Sequence, residues 1–492
     1  MAFLSAAARS IRAVTAHRQS DTDACPGALR LHAAADGLLA RVRLPGGLLT
    51  GAQLRSLREL AEKFGDGRLE LTSRANVQLR GLQASDAVRL ADRLRDAGLL
   101  PSSTHDSVRN IAAPPLADSR VRELTGELDA AICGDPGLAR LPGKFLFAIG
   151  QVPLAADVAA IPDGVRFGLR FGGWDTGLRV ESGRVVEALI VSAHAFLAER
   201  EEQRGGGAAA WRLRELADGA GRVSARVAEA LGIVPVDVPV AVPVEVVDPA
   251  ALIGMVTDGD QAAGPPATSG AQAADAVATE GGQAADAVAT EGGQAADAVA
   301  TDGGRAAAGA LVPLGRLEGG QMRVLEDAER LVITPWRGVL VPGLTTAAAR
   351  AWIERLAGAG LAVTATSRWT GVTACAGRPG CARSLADVRE DAEVASRFVD
   401  GLPVHWVGCA RACGSPAGAH VRVEATGGGY TVTRRAGDGR PADRDQHGGG
   451  SVTGREPGPG SAPDSGLDGA TGRVETFPVD VLGDVVAGAR RG

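Results

Sequence analysis

Lysine is almost missing from this 492-residue chain: of 52 basic residues only Lys63 and Lys144 are lysine. A lysine kept against such a bias points to a local requirement. Lys63 reads as a solvated helix residue, whereas Lys144, in Leu141-Pro-Gly-Lys-Phe145, sits beside a strand. No apolar run approaches the ~20 residues that span a bilayer, so no membrane partner is expected. A net charge of −6 gives no electrostatic reason to expect nucleic acid. Met1 to Ala24 is rich in Ala, Ser and Arg but lacks an apolar h-region and cleavage site, which predicts a disordered N-terminus and a cytoplasmic protein. Six cysteines without an export signal favour metal binding over disulfides. The seven histidines form no paired metal motif.

Two stretches are too poor in apolar residues to build core. From about Val256 to Ala310 the chain falls to Gly, Ala, Asp, Gln and Thr. An 11-residue unit, Gln-Ala-Ala-Asp-Ala-Val-Ala-Thr-Glu-Gly-Gly, begins at Gln272, Gln283 and, with Asp302 for Glu, Gln294. Such a period suits a right-handed supercoil. One Val per unit gives no apolar seam, however, and each Gly-Gly breaks a helix. A flexible linker is expected. Ala436 to Gly472, rich in Gly, Pro, Asp and Ser, predicts a disordered insertion.

The foldable parts on either side of the linker look alike. Leu44–Leu57 and Val312–Leu325 share Pro, Gly, Leu, Gln and Arg at fixed offsets, and Arg68–Thr72 matches Arg330–Thr334. That argues for an internal duplication. Each unit reads strand, turn, helix, strand, strand, helix, which suits a small α+β sandwich of ferredoxin-like type. In the first unit the strands are expected at Leu38–Leu44, Leu69–Thr72 and Val77–Leu82 and the helices at Thr50–Phe64 and Ser85–Ala97. Further strands are expected at Lys144–Gly150, Val165–Phe171, Leu361–Thr366, His405–Val407 and His420–Glu424, with helices at Val185–Glu202 and Ala208–Leu231.

The sharpest motif is Cys375-x5-Cys381 followed, after 27 residues, by Cys409-x3-Cys413. Four thiolates in two close pairs are what a 4Fe-4S cluster requires. The surrounding Gly371, Gly377, Gly380, Gly408 and Gly414 would let backbone N–H groups approach the sulfurs. A structural zinc site and unliganded cysteines are the alternatives, although an x5 pair is unusual for zinc. Cys25 and Cys133 have no partners at ligand spacing. His405, four residues before Cys409, is either an iron ligand or a packed strand residue. A second pattern lies in Arg74-Ala-Asn-Val-Gln-Leu-Arg80. Strand alternation places Arg74, Asn76, Gln78 and Arg80 on one face, and Arg41 and Arg43 behave likewise. Guanidinium and carboxamide groups sharing a face form either an anion-recognition surface or an ordinary solvated face. Arg109, Asn110 and Lys144 add further donors.

Together these motifs resemble the sulfite/nitrite reductase superfamily. The segments that carry the resemblance are Arg43-Leu-Pro-Gly-Gly47, Leu71–Arg80, Val108–Asn110 and Leu141–Phe145, in family order with the cysteine motif. The resemblance implies an α+β fold with two pseudo-symmetric ferredoxin-like half-repeats plus two α/β sulfite-reductase-type domains, one carrying a 4Fe-4S cluster. It places the half-repeats at 25–104 and 311–366, the first α/β domain at 105–250, the linker at 251–310, the cluster domain at 367–435, the insertion at 436–472 and a C-terminal tail at 473–492. Within the superfamily, Ala24-Cys-Pro-Gly27 and the versions of the cysteine motif at Thr373–Ala382 and Val407–Gly414 resemble the precorrin-3B synthase branch. That branch implies a monooxygenase that hydroxylates precorrin-3A with γ-lactone formation in cobalamin biosynthesis, using O2 and NAD(P)H-derived electrons through an electron donor. It also implies a mononuclear non-haem iron, whose ligands are not legible here. Arg41, Arg43, Arg74, Asn76, Gln78, Arg80, Arg109, Asn110 and Lys144 would then hold the carboxylates of the tetrapyrrole. Gly143 stands where family members often carry a basic residue, a departure that disfavours reductase chemistry. The alternatives are a sirohaem-dependent sulfite or nitrite reductase and a non-catalytic tetrapyrrole-binding electron-transfer protein.

Overall fold

Repeated capping chemistry sets the frame. Thr50 and Gln53 close a capping box at the start of one helix, and Glu318 and Gln321 close the equivalent box in the second unit. The computed structural model describes residues 25–204, 209–237, 248–257, 306–416, 418–436 and 476–491. The expected disordered N-terminus, most of the linker and nearly all of the insertion lie outside these residues.

The first half-repeat comprises β1 (His32–Ala34), β2 (Gly37–Val42), β3 (Leu48–Leu49), α1 (Gly51–Phe64), β4 (Leu69–Leu71), β5 (Val77–Leu82) and α2 (Ala87–Asp96). An α/β layer follows, with β6 (Ile111–Ala112), α3 (Ser119–Gly134), β7 (Phe147–Ile149), β8 (Val158–Asp163), β9 (Arg166–Phe171), β10 (Trp174–Glu181), α4 (Val185–Glu202) and α5 (Gly219–Leu231). The second half-repeat contains β11 (Gly254–Thr257), β12 (Ala306–Leu311), β13 (Arg316–Leu317), α6 (Gly319–Leu325), β14 (Leu331–Ile333), β15 (Gly338–Leu344) and α7 (Thr346–Gly358). The last layer has β16 (Val372–Ala374), α8 (Val388–Ala395), β17 (Val404–Val407), β18 (His420–Thr426), β19 (Gly429–Arg435) and α9 (Leu482–Arg491). No described helix is long and apolar enough to cross a membrane.

The half-repeats exchange strands. Their sheets run β1-β2-β5-β4-β13 and β11-β12-β15-β14-β3, so each unit gives its shortest strand to the other's edge. Leu317 pairs with Leu69 and Leu49 with Leu331. The exchange needs close backbone approach. A Cβ on Gly47 would meet the Ile333 carbonyl at 2.2 Å, and one on Gly51 the Glu326 carbonyl at 2.1 Å. Backbone conformation repeats as well: Ala75 at φ 56° answers Arg337 at 61°, and Gly46 at 63° answers Leu314 at 50°. Left-handed φ is costly for Ala, Leu and Arg, and it persists where surrounding structure over-determines the turn. One apolar core serves both units, with Leu54, Leu57, Leu60 and Phe64 of α1 against Leu317, Leu325 and Leu331. Each such side chain contributes roughly 1.5–3 kcal/mol on burial.

The two α/β layers are also alike. In one, β6, β7 and β8 run parallel and β9 antiparallel; in the other β16, β17 and β18 run parallel and β19 antiparallel.

Several elements differ from expectation. The linker is narrower than the expected 251–310, because β11 and β12 occupy its ends. Ala306–Ala310 are all buried, and a Cβ on Gly309 would meet the Leu252 carbonyl at 2.0 Å, so small residues here answer tight packing. The C-terminal tail contains α9, whose Leu482, Val486 and Arg490 are buried. Leu361–Thr366 is not a strand; Ala362 makes a single bridge to Leu311. The expected Ala208–Leu231 helix begins only at Gly219. Arg74 and Asn76 precede β5 in a tight turn closed by the Thr72 N–H to the Asn76 carbonyl, because Ala75 is left-handed.

Candidate functional site

The cysteine motif takes its geometry from two neighbouring parallel strands. Cys375 follows β16 directly, and Gly408-Cys409 follows β17, so both loops leave the same end of the sheet. The backbones interlock there. Cys375 N–H donates to the Trp406 carbonyl at 2.9 Å, and Gly408 N–H points at Cys375 Sγ across 3.3 Å. Cys381 N–H returns to the Gly377 carbonyl at 2.8 Å, with Gly377 at φ 66°. In the second loop Ala412 and Gly414 are both left-handed.

None of the six cysteines is in a disulfide. Burial pushes the Cys413 thiol up against the pull of Arg411, and Cys375, Cys409 and Cys381 push it further, so each of the other three lies within electrostatic reach of Cys413. Among the described residues no three His, Cys, Asp or Glu side chains are gathered tightly enough to hold one metal ion. A 4Fe-4S core asks for a different arrangement, four thiolates spread round a larger body with N–H groups aimed at sulfur. The converging loops, the Gly408 N–H and the left-handed turns fit such a cluster.

His405 is fully buried on β17. Its Nε2 donates to the Cys413 carbonyl at 3.0 Å, so its Nδ1 accepts from the Thr373 hydroxyl at 2.8 Å. Burial, with Arg337 nearby, pulls it down to about 3. It is a neutral side chain that fixes the Cys413 loop through the backbone, and both ring nitrogens are already engaged.

The second pattern forms a row across a sheet. Arg41 on β2 lies opposite Gln78 on β5, Gln78 opposite Glu70 on β4, and Glu70 opposite Arg316 on the exchanged strand β13. Arg41 donates twice to Gln78 Oε1, at 2.6 and 3.1 Å, and Gln78 Nε2 donates to Glu70 Oε2 at 3.3 Å. Glu70 then accepts from Arg389 Nη1, whose Nε donates to the Cys375 carbonyl at 3.1 Å. A continuous polar chain therefore joins the arginine face to the cysteine loop.

The remaining arginines separate by what neutralises them. Arg80 is held bidentately by Asp36 at 2.8 and 2.9 Å, and Arg109 by Asp129 at 2.7 and 2.6 Å. Their charges are met inside the fold, so both serve as scaffold rather than as free cations. Arg43 is different. It is 2% exposed, and among the described residues its Nε has no partner and its bonds are 3.4 Å contacts to the Pro26 and Ser107 carbonyls. Burial and the neighbouring Arg41 pull it down to about 9. Arg74, half-buried, donates to the Lys144 carbonyl at 3.2 Å, and burial with Arg212 alongside pulls it down to about 10. Lys144 Nζ lies over the Trp211 ring, 4.8 Å from its centroid. Asn110 Nδ2 holds the same loop through the Gly143 carbonyl at 2.9 Å and the Ser107 carbonyl at 3.0 Å, leaving its buried Oδ1 without a partner among the described residues. Asn76 uses its Oδ1 to accept from Leu44 N–H at 2.8 Å.

Sequence reasoning missed Glu70, Arg316, Arg337 and Arg389. Arg337 has no carboxylate within ion-pair distance among the described residues, and burial with Arg389 nearby pulls it down to about 10. The signal for Glu70 was present in Arg68-Leu-Glu-Leu-Thr72, where alternation puts Glu70 opposite to its flanking leucines.

Residues 32–97 match the nitrite/sulfite reductase ferredoxin-like half domain. That segment of the chain carries the domain. Ferredoxin–nitrite reductase of Leptolyngbya laminosa is 33% identical over 174 residues, covering 31% of this chain and 34% of that one. Precorrin-3B synthase of a Sinorhizobium species is 35% identical over 149 residues, 30% of each chain. These alignments span about a third of the relatives' length. The solved structure of the Mycobacterium tuberculosis NirA protein superposes with a TM-score of 0.59 at 20% identity, covering 80% of this chain and 74% of that one.

Proposed function

We propose that this chain is an iron–sulfur oxidoreductase whose substrate is a tetrapyrrole fringed with carboxylates, and specifically that it hydroxylates precorrin-3A as a precorrin-3B synthase does. The observation that carries the reading is Arg43, a buried guanidinium with no carboxylate in ion-pair distance among the described residues, beside Arg41 and Arg74. A buried cation is costly unless paired. A substrate carboxylate would supply the missing charge in bidentate geometry. Arg74, Arg41 and Lys144 extend the cationic surface, and Asn110 keeps the Lys144 loop in place. Cys375, Cys381, Cys409 and Cys413 would hold the 4Fe-4S cluster, which when bound supplies single electrons. The Gln78–Glu70–Arg389 chain keeps substrate face and cysteine loop in fixed register.

A second reading, a sirohaem-dependent nitrite or sulfite reductase, is favoured by the 33% identity to a ferredoxin–nitrite reductase and by the exposure of Cys413, which leaves room for a macrocycle against it. Anaerobic purification with absorption and EPR spectra, followed by precorrin-3A and an oxygen pulse, separates the two. Iron–sulfur signals with no sirohaem bands, and oxygen-dependent hydroxylation, are expected. Strong sirohaem bands would move the assignment to the reductase, and a macrocycle returned unchanged would move it to a carrier.

A further inference from the structure

Glu70 stands where both half-repeats and the cysteine layer meet. Its carboxylate is buried, accepts from Gln78 and Arg389, and has Arg80 Nη1 at 3.6 Å. Each of the two guanidiniums facing it also holds the Cys375–Cys381 loop. Arg389 Nε donates to the Cys375 carbonyl at 3.1 Å, and Arg80 Nη2 donates to the carbonyl of Gly380, beside Cys381, at 2.6 Å. Burial alone would push the Glu70 carboxyl up; Arg389, Arg80 and Arg316 hold it below the usual carboxylate range, so it is a fixed anion. Arg337 feels both Glu70 and Cys375.

We propose that Glu70 is a positioning residue for the cluster site: it orients Arg389 and Arg80 so that together they fix the Cys375 and Cys381 ends of the first cysteine loop, and it sets the net positive charge there as the anion among Arg80, Arg316, Arg337 and Arg389. The proposal rests on the reading of the four cysteines as a 4Fe-4S site. One-electron reduction makes the bound core more negative, so nearby positive charge favours the reduced form. Removing the Glu70 charge raises the reduction potential, and removing the Arg389 charge lowers it.

The test uses full-length wild type, Glu70→Gln, Arg389→Met and the double variant, purified anaerobically. Iron and sulfide are counted, and potentials are read by EPR-monitored titration with dithionite and mediators. The expected result is a rise for Glu70→Gln, a fall for Arg389→Met, and a double variant nearer wild type than either. A packing role alone does not give opposite signs. Clusters that shift together, or not at all, overturn the proposal. Where a variant loses iron, its thermal melt decides: a cooperative melt near that of wild type supports the loop-holding role, and collapse of both single variants overturns it. Wild type devoid of iron and sulfide sinks the cluster reading itself, a distinct result.

Discussion

Arg80 reaches from β5 of the first half-repeat to the Gly380 carbonyl, 2.6 Å away, while Asp36 grips the same guanidinium through Nε and the shared Nη2. A single buried side chain thus ties a ferredoxin-like sheet to the loop that carries Cys381. The Arg80→Met variant removes that tie and leaves Asp36 and Glu70 without it. Breaking a buried pair costs about 3 kcal/mol. The expected outcome is a lower melting temperature together with fewer iron atoms per chain, read by thermal denaturation and iron analysis. Full iron retention at a lowered melting point would confine Arg80 to stability.

Arg74 and Arg109 are chemically identical and expected to behave oppositely. Arg74→Ala should weaken binding of a tetrapyrrole polycarboxylate by roughly 1.5–3 kcal/mol, the scale of one charged hydrogen bond, with little change in melting. Arg109→Met should destabilise the fold by about 3 kcal/mol, because it strands Asp129. Affinity by fluorescence titration and stability by urea unfolding separate the two. Equal loss of affinity in both variants at unchanged stability would return Arg109 to the binding face.

These outcomes also show what was legible beforehand. The duplication could be read because the capping boxes and glycine turns depend on local chemistry, Thr50 with Gln53 and Glu318 with Gln321. The exchange of β3 and β13 could not, since two-residue strands carry no period and their partners lie in the other repeat. The face containing Arg41, Gln78 and Arg80 followed from alternation. Whether each charge is met internally depends on Asp36 and Asp129, which are brought near by folding alone. The alanines of β12 looked like linker because composition does not distinguish small residues that fill a tight sheet from small residues that fill nothing.

Gly408 is a test of the cysteine loops at the level of one methyl group. A Cβ there would meet Ser384 Oγ at 1.8 Å, and the Gly408 N–H is the donor aimed at Cys375 Sγ. Gly408→Ala must push apart the two loops that bear the cysteines, an overpacking cost of about 1–3 kcal/mol. Cysteine ligation should suffer more than the fold. We expect iron retention to fall towards that of Cys409→Ser, with far-ultraviolet circular dichroism unchanged. An Ala variant that holds iron as well as wild type would mean the loops adapt freely and the N–H contact is dispensable.

Thr257 and Ala306 are cross-strand partners at the ends of β11 and β12, so the chain between them departs from and returns to one point of the sheet. Loop-closure entropy grows only with the logarithm of length, and the strand pairing of Gly254–Thr257 with Ala306–Gly309 does not depend on what lies between. Deleting Gln272–Gly304 shortens the connection about threefold and should stabilise the chain by about 1 kcal/mol. Iron content and turnover should stay near wild type. Denaturant midpoints for the two chains check the first point, and iron analysis with an activity assay checks the second. Loss of activity with the midpoint unchanged or raised would assign the repeats a role in the reaction rather than in the fold.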